Sequence, residues 1–199
     1  MIFKIINRLS FYKGKLYTFY VLYICSRLMT VRVTFQTLPL LTQKTRMTGL
    51  GKIELGKSVT LGIRTSPYLT TGECYIAANK QCSVIKIGSE VRINNNAAII
   101  ANSGTITIGD NTLIGPNFMC IDSNFHSLNP TKRLIPQEAK SESVSIGNNV
   151  FIGANVTVLK GSTVGDNSVI GAGCVITGEI PRNSVVTCGK FNTITDLKY

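Results

Sequence analysis

Aliphatic side chains return at every sixth position through much of this chain. The stretch from Ile146 divides into Ile146-Gly-Asn-Asn-Val-Phe, Ile152-Gly-Ala-Asn-Val-Thr, Val158-Leu-Lys-Gly-Ser-Thr, Val164-Gly-Asp-Asn-Ser-Val and Ile170-Gly-Ala-Gly-Cys-Val, then reaches Ile176. Glycine follows four of these six aliphatic residues. The same period runs through Ile87, Ile93 and Ile99, and resumes after three inserted residues at Ile108, Ile114 and Cys120. A weaker start appears at Leu55-Gly56 and Leu61-Gly62.

An amphipathic helix would place apolar residues three and four apart, and a hairpin strand would alternate at two and then turn. A period of six is what a short strand and a sharp corner produce when each corner returns the chain to an equivalent place. The aliphatic residue then points inward. The position two before the next one (Val150, Val156, Ser162, Ser168, Cys174) must be modest in size to fit. Gly and Asn suit the corners because they tolerate left-handed backbone angles. Three such faces close a triangular coil of about eighteen residues, and coils stack at the strand spacing of roughly 4.8 Å. The pattern predicts an all-β solenoid of the parallel β-helix kind.

Between Cys120 and Ile146 the period breaks for about two dozen residues. An insertion into a solenoid cannot enter the core and must leave from a corner as an external loop. This one contains Asp122, Pro130, Lys132, Arg133, Pro136 and His126, the only histidine in the chain. Long loops on rigid scaffolds are disproportionately functional, although an isolated loop histidine is by itself no more than a solvated side chain.

Charge and cysteine refine the picture. Residues 1–53 hold nine Lys or Arg and no acid, whereas the remainder holds twelve basic residues and ten acids. A basic end beside a near-neutral body points to attachment to something anionic. No zinc-finger, helix-turn-helix or RNA-binding signature supports nucleic acid as that partner. The apolar run Leu16-Tyr-Thr-Phe-Tyr-Val-Leu-Tyr-Ile-Cys25 is too short to span a bilayer, and no small-x-small cleavage site follows it. Two readings stay open for it: a helix at a membrane surface, or a helix packed on the end of the domain or on a neighbouring subunit. The six cysteines match no metal or disulfide framework. Cys120 and Cys174 fall on core-facing positions as small hydrophobes, which points to a reducing cytoplasm.

The run "IGNNVFIGANVTVLKGSTVGDNSVIGAGCVITGEIP" over 146–181 and the loop "DSNFHSLNP" resemble the hexapeptide-repeat acyltransferases, in the branch that acetylates sugars and polysaccharide precursors. The resemblance covers roughly residues 50–190. It implies a left-handed parallel β-helix of about five coils over 51–190 with an external catalytic loop at 122–145. A basic aromatic helical segment at 1–50 precedes it and a tail at 191–199 follows. It also implies an O-acetyltransferase that moves an acetyl group from acetyl-CoA to a hydroxyl of a sugar or surface-polysaccharide precursor, with no metal. His126 would be the general base, Asn95 would meet the acceptor, and Asp122 would orient the imidazole or serve as a plain turn residue. Gly153, Ala154, Ala172 and Thr177 would lie along the pantetheine arm, and Lys160 and Arg182 near the coenzyme phosphates. A homotrimer in the cytoplasm, or peripheral on the cytoplasmic face of the inner membrane, is the expected setting.

The chain departs from the family pattern in having Gly178 after Thr177 and "CGKFN" at 188–192 where a Gly-x-Pro-Ala-Lys-like turn is usual. Alternatives are a nucleotide-sugar N-acetyltransferase and a non-catalytic scaffold subunit. A β-helical carbonic anhydrase would need three zinc-ligating histidines and is excluded by the single one.

Overall fold

The computed structural model describes residues 16–18, 20, 31–135, 139–189 and 192–196. Short strands follow one another round a triangular path. The first coil is β1 (Arg32–Phe35), β2 (Leu40–Leu41) and β3 (Thr45–Gly49), and the second is β4 (Lys52–Leu55), β5 (Thr60–Leu61) and β6 (Cys74–Ala78). The third is β7 (Val84–Ile87), β8 (Arg92–Ile93) and β9 (Ala98–Ala101). The fourth is β10 (Thr105–Ile108), β11 (Leu113–Ile114) and β12 (Met119–Ile121). β13 (Val144–Ile146), β14 (Phe151–Ile152) and β15 (Thr157–Val158) make the fifth; β16 (Thr163–Val164), β17 (Val169–Ile170) and β18 (Val175–Ile176) make the sixth. A seventh begins with β19 (Glu179–Ile180) and β20 (Ser184–Cys188), and the chain then reverses into β21 (Asn192–Asp196).

The strands stack into three sheets that take every third strand, β1 to β19, β2 to β20 and β3 to β18, all parallel except the final β20–β21 pair. This is a left-handed parallel β-helix. The core is one column of aliphatic residues: Ile87, Ile93, Ile99, Ile108, Ile114, Ile146, Ile152, Val158, Val164, Ile170 and Ile176 are all buried. Burying each such side chain contributes about 1.5–3 kcal/mol. The positions two before them are buried too, and where they are polar their hydroxyls find carbonyls. Ser162 Oγ donates to Leu159 O at 2.6 Å and Ser168 Oγ to Pro181 O at 2.9 Å.

The corners follow the same economy. At the corner between the first and second sheets, Asn111, Asn149, Asn167 and Asn183 all have φ between 54° and 59°. Their side chains link successive coils, with Asn149 Nδ2 donating to Asn167 Oδ1 (3.2 Å) and Asn167 Nδ2 to Asn183 Oδ1 (3.0 Å). A second ladder, Asn96 to Asn117 to Asn155, runs along the next corner at 2.7 and 2.9 Å. The glycine after each aliphatic residue is a spacing requirement. A Cβ on Gly109 would lie 2.5 Å from the carbonyl carbon of Gly147 in the next coil.

Two boundaries differ from expectation. The helix begins at Arg32, not at residue 51, and has six complete coils and part of a seventh. The first coil escapes notice because its inward Leu41 and Met47 are followed by threonine in place of glycine. Residues 192–196 form a strand on β20 and not a loose tail. Of the N-terminal aromatic run, residues 16–18 are helical, and they pack on the first coil. Tyr17 Oη accepts a hydrogen bond from Thr45 N (3.0 Å), and the buried Thr18 Oγ1 accepts one from Leu41 N (3.2 Å). The rest of residues 1–30 lies outside the described residues. No helix among the described residues is long and apolar enough to cross a membrane.

The cysteines also differ from expectation. Cys174 and Cys188 are joined in a disulfide with their Cα atoms 5.3 Å apart, while Cys74, Cys82 and Cys120 are free. Spacing alone gives no sign of this pair. It is the stacking of β20 on β17 that carries Cys188 over the corner holding Cys174. Alkylation of the denatured chain should therefore leave Cys174 and Cys188 unlabelled before reduction and label both after it. Closing a 14-residue separation corresponds to about 3 kcal/mol. Reduction should thus lower the thermal midpoint by several degrees, and six reactive thiols without reductant would refute the bond.

Candidate active site

The His126 loop leaves the coil at the corner between the third and first sheets, after β12, and returns at β13. Its stem is tied by hydrogen bonds from Glu142 N to Asp122 O (2.8 Å) and Asn124 N to Lys140 O (3.3 Å). Outside the stem, Pro130–Lys132 form a 3-10 turn capped by Asn129, whose Oδ1 accepts from Thr131 N at 3.0 Å. That turn folds the chain back so that the carbonyl of Arg133 faces the imidazole, with His126 Nδ1 to Arg133 O at 3.0 Å. The Arg133 guanidinium closes the same turn by donating to Leu128 O at 3.3 Å.

The loop and the stacked corners beside it enclose a cleft of about 680 Å³. Ile121, Phe125, Leu128 and Leu159 give it apolar walls, and His126, Arg133, Lys160 and Thr177 stand in it as polar groups. A carbonyl can only accept, so the ring nitrogen facing Arg133 O carries the proton. In the neutral ring the other nitrogen, Nε2, then keeps its lone pair. The cleft offers one oriented base between apolar walls, and the thiol nearest in sequence does not compete with it. Cys120 is fully buried, and burial pushes its thiol far above the usual range.

Several site residues have other duties. Asp122 does not touch the imidazole's partner nitrogen. It is 0% exposed, and its carboxylate accepts from Asn102 N (2.6 Å), Ser103 N (3.2 Å) and Gly104 N (2.6 Å), which fastens the loop root to the preceding coil. Of its two readings, the turn residue is the one the contacts support. Asn95 is likewise 0% exposed. Its Oδ1 accepts from Ile63 N at 2.9 Å, and its Nδ2 donates to the carbonyls of Ile63, Ser66 and Pro67 at 2.9, 3.1 and 2.7 Å. No donor remains for an acceptor molecule. Asn95 instead pins a second external loop, which fills the gap between β5 and β6 and which the sequence reading missed.

The residues expected along the coenzyme divide among three corners. Lys160 and Thr177 share the corner of His126 and line its cleft. Gly153, Ala154 and Ala172 occupy the next corner, between the second and third sheets, and Arg182 the remaining one. Gly153 is required by stacking in any case, since a Cβ there would lie 2.7 Å from Ala172 N. Lys160 is already engaged: its Nζ is 2.5 Å from Glu142 Oε1, and that hydrogen bond, with the lysine charge, holds the Glu142 carboxyl below its ordinary range.

Residues 143–178 match the bacterial transferase hexapeptide family (six repeats). Over 117 residues, 57% of this chain, it is 42% identical to galactoside O-acetyltransferase of Escherichia coli K12. It is 36% identical over 110 residues, 52% of the chain, to the putative lipopolysaccharide biosynthesis O-acetyl transferase WbbJ of the same organism. Each match covers 56% of the relative, so the chain spans just over half the length of these curated relatives. Among solved structures, AntD, an N-acyltransferase from Bacillus cereus in complex with dTDP and 3-hydroxybutyryl-CoA, aligns with a TM-score of 0.60. That alignment covers 82% of this chain and 81% of AntD at 14% identity, and it shows the shared fold.

Removing the Asn95 side chain should leave Ile63 N, Ser66 O and Pro67 O without this partner, at about 1–3 kcal/mol for a buried group left unpaired, while Ile63 O keeps Ser66 N. Asn95→Ala is expected to lower the thermal midpoint clearly. A variant with the thermal midpoint of the parent would contradict the structural role. The six-residue period, the corner asparagines and the stacked coils agree with the match of residues 143–178 to the bacterial transferase hexapeptide family (six repeats).

Proposed function

We propose that the protein is an O-acetyltransferase that moves an acetyl group from acetyl-CoA to a hydroxyl of a sugar or surface-polysaccharide precursor. One observation carries the reading above others: the only histidine of the chain is held by Arg133 O through Nδ1 inside an apolar-walled cleft, which leaves Nε2 as a base. The names of the relatives, a galactoside O-acetyltransferase and a lipopolysaccharide O-acetyl transferase, support the acceptor class. The 3-hydroxybutyryl-CoA bound to AntD supports a coenzyme A thioester as donor.

The chemistry needs little more than the cleft supplies. The acceptor hydroxyl oxygen attacks the thioester carbonyl as His126 Nε2 takes the hydroxyl proton. The tetrahedral adduct then expels the coenzyme thiolate, which takes that proton back to leave an acetyl ester and free coenzyme thiol. A thiol has a pKa near 8.5, so the leaving group needs only weak acid assistance and one imidazole serves both steps. General base catalysis of this kind contributes about 10²–10⁴-fold.

Within one chain, Thr177 and the Leu159–Lys160 corner stand beside the base, whereas Gly153, Ala154 and Ala172 stand on a different corner. A homotrimer reconciles the two, with the second corner of one subunit facing the His126 loop of its neighbour. Apolar side chains exposed on the outer faces of the second and third sheets, Leu113 and Phe151 on one and Met119 and Val175 on the other, support such packing.

His126→Ala should lower acetyl transfer to a sugar hydroxyl by at least about 10²-fold while thermal stability and solution mass stay those of the parent. Activity within a few-fold of the parent would rule out the base. Sedimentation of the full chain should give three times the 21.6 kDa subunit mass, and a monomer with full activity would exclude the shared site.

A further inference from the structure

The residue immediately before the catalytic histidine has a backbone that its side chain does not favour. Phe125 has φ +59°, in the left-handed region that a bulky L side chain adopts only when its surroundings impose it. Asparagine fills most of the corner positions with such angles, and Phe125 belongs to neither corner ladder. Something local must hold it. His126 N donates back across the turn to Asn124 O at 2.7 Å, so the left-handed step at Phe125 sets the direction in which the His126 side chain leaves the loop.

The group that holds Phe125 is the hydroxyl of Ser123. This side chain is 1% exposed. Its Oγ accepts the N–H of Phe125 at 3.0 Å and donates its single proton to Lys140 O, on the opposite side of the loop stem, at 3.3 Å. The residue pair itself bridges the stem, Ser123 facing Ser141 across an antiparallel bridge. The preceding residue is anchored separately, through the three backbone N–H groups on the Asp122 carboxylate. A continuous line of contacts therefore runs from the fixed coil through Asp122 to Ser123, from Ser123 to the strained turn, and from the turn to the imidazole. Ser123 and Phe125 also line the cleft, so any slackening of the turn displaces the base at the place where it works.

We propose that Ser123 is a positioning residue for His126: its hydroxyl stabilises the left-handed Phe125 and thereby keeps the imidazole aimed into the cleft with Nδ1 on Arg133 O. This rests on the reading of His126 as base, but its structural half can be tested without acetyl transfer. The chain has one histidine, so the ring nitrogens of ¹⁵N-labelled full-length protein give the signals of a single imidazole. In the parent, the neutral ring at alkaline pH should be held as the Nδ1–H tautomer. Ser123→Ala should shift it toward the tautomer mixture of a free imidazole. The same variant should lower kcat by about 10- to 100-fold, the scale expected for a base displaced by about 1 Å, with KM for acetyl-CoA within about two-fold.

Adding Phe125→Gly to Ser123→Ala should restore part of the tautomer bias and part of kcat, because glycine enters the left-handed region without penalty. Should Ser123→Ala fail to fold, Phe125→Val and Phe125→Asn provide the comparison with the hydroxyl intact. Valine resists the left-handed angle and should lose the tautomer bias, whereas asparagine accepts it and should keep the bias. A parent-like tautomer and a kcat within two-fold in Ser123→Ala, or equal behaviour of the valine and asparagine variants, overturns the proposal. A parent that holds the Nδ1–H tautomer but transfers no acetyl group overturns the functional reading and leaves the positioning intact.

Discussion

The distance between stacked coils governs this molecule. Parallel strands on each face repeat at roughly 4.8 Å, so at every corner the backbone of one coil touches the backbone of the next. There is no room for a Cβ at Gly109, Gly147 or Gly153, and the chain must turn through left-handed angles at Asn111, Asn149, Asn167 and Asn183. The aliphatic column inside and the amide ladders outside are two answers to one requirement. Every backbone group and every side chain must meet its equivalent one coil away.

That regularity leaves no place for chemistry on the coil itself. Strands of two to five residues present alternate side chains to a closed core or to solvent, and neither setting orients a base. The proposed base comes from the loop that interrupts the period, and the buried polar residues nearest to it hold loops in place. Asp122 fixes the root of the His126 loop, and Asn95 with Gln43 fixes the second loop, Gln43 Nε2 donating to Tyr68 O at 2.6 Å. Carboxylates and amides buried at the edge of a β-helix read easily as ligand contacts. Here they are spent on backbone groups that no other coil can satisfy.

The six-residue period made the solenoid, its inward column and the external position of His126 legible in the sequence, because each follows from spacing along the chain. What stayed hidden depended on contacts between coils. The first coil lacked the glycine mark, the Cys174–Cys188 pair depended on stacking of β20 over β17, and the second loop was masked by the weak start of the period near Leu61. Asn95 stood beside two other asparagines with nothing to separate them. The contacts separate them: Asn96 is the left-handed corner residue, Asn95 the buried clamp, and Asn94 the half-buried one whose Oδ1 caps Asn95 N at 2.7 Å. The partner of the imidazole was a carbonyl seven residues on, and a main-chain group leaves no trace in residue type.

A stack of identical coils has no internal reason to stop. Each end displays a triangle of unpaired strand edges that matches the opposite end of another copy, which is the geometry of a growing fibre. This chain places its own residues on part of each end. Tyr17 and Thr18 take up N–H groups of the first coil, and β21 turns antiparallel onto β20 so that the last strand of the second sheet cannot be extended in parallel. The segments flanking the repeat thus stand where a second copy would otherwise stack, and on these strands they act as stoppers.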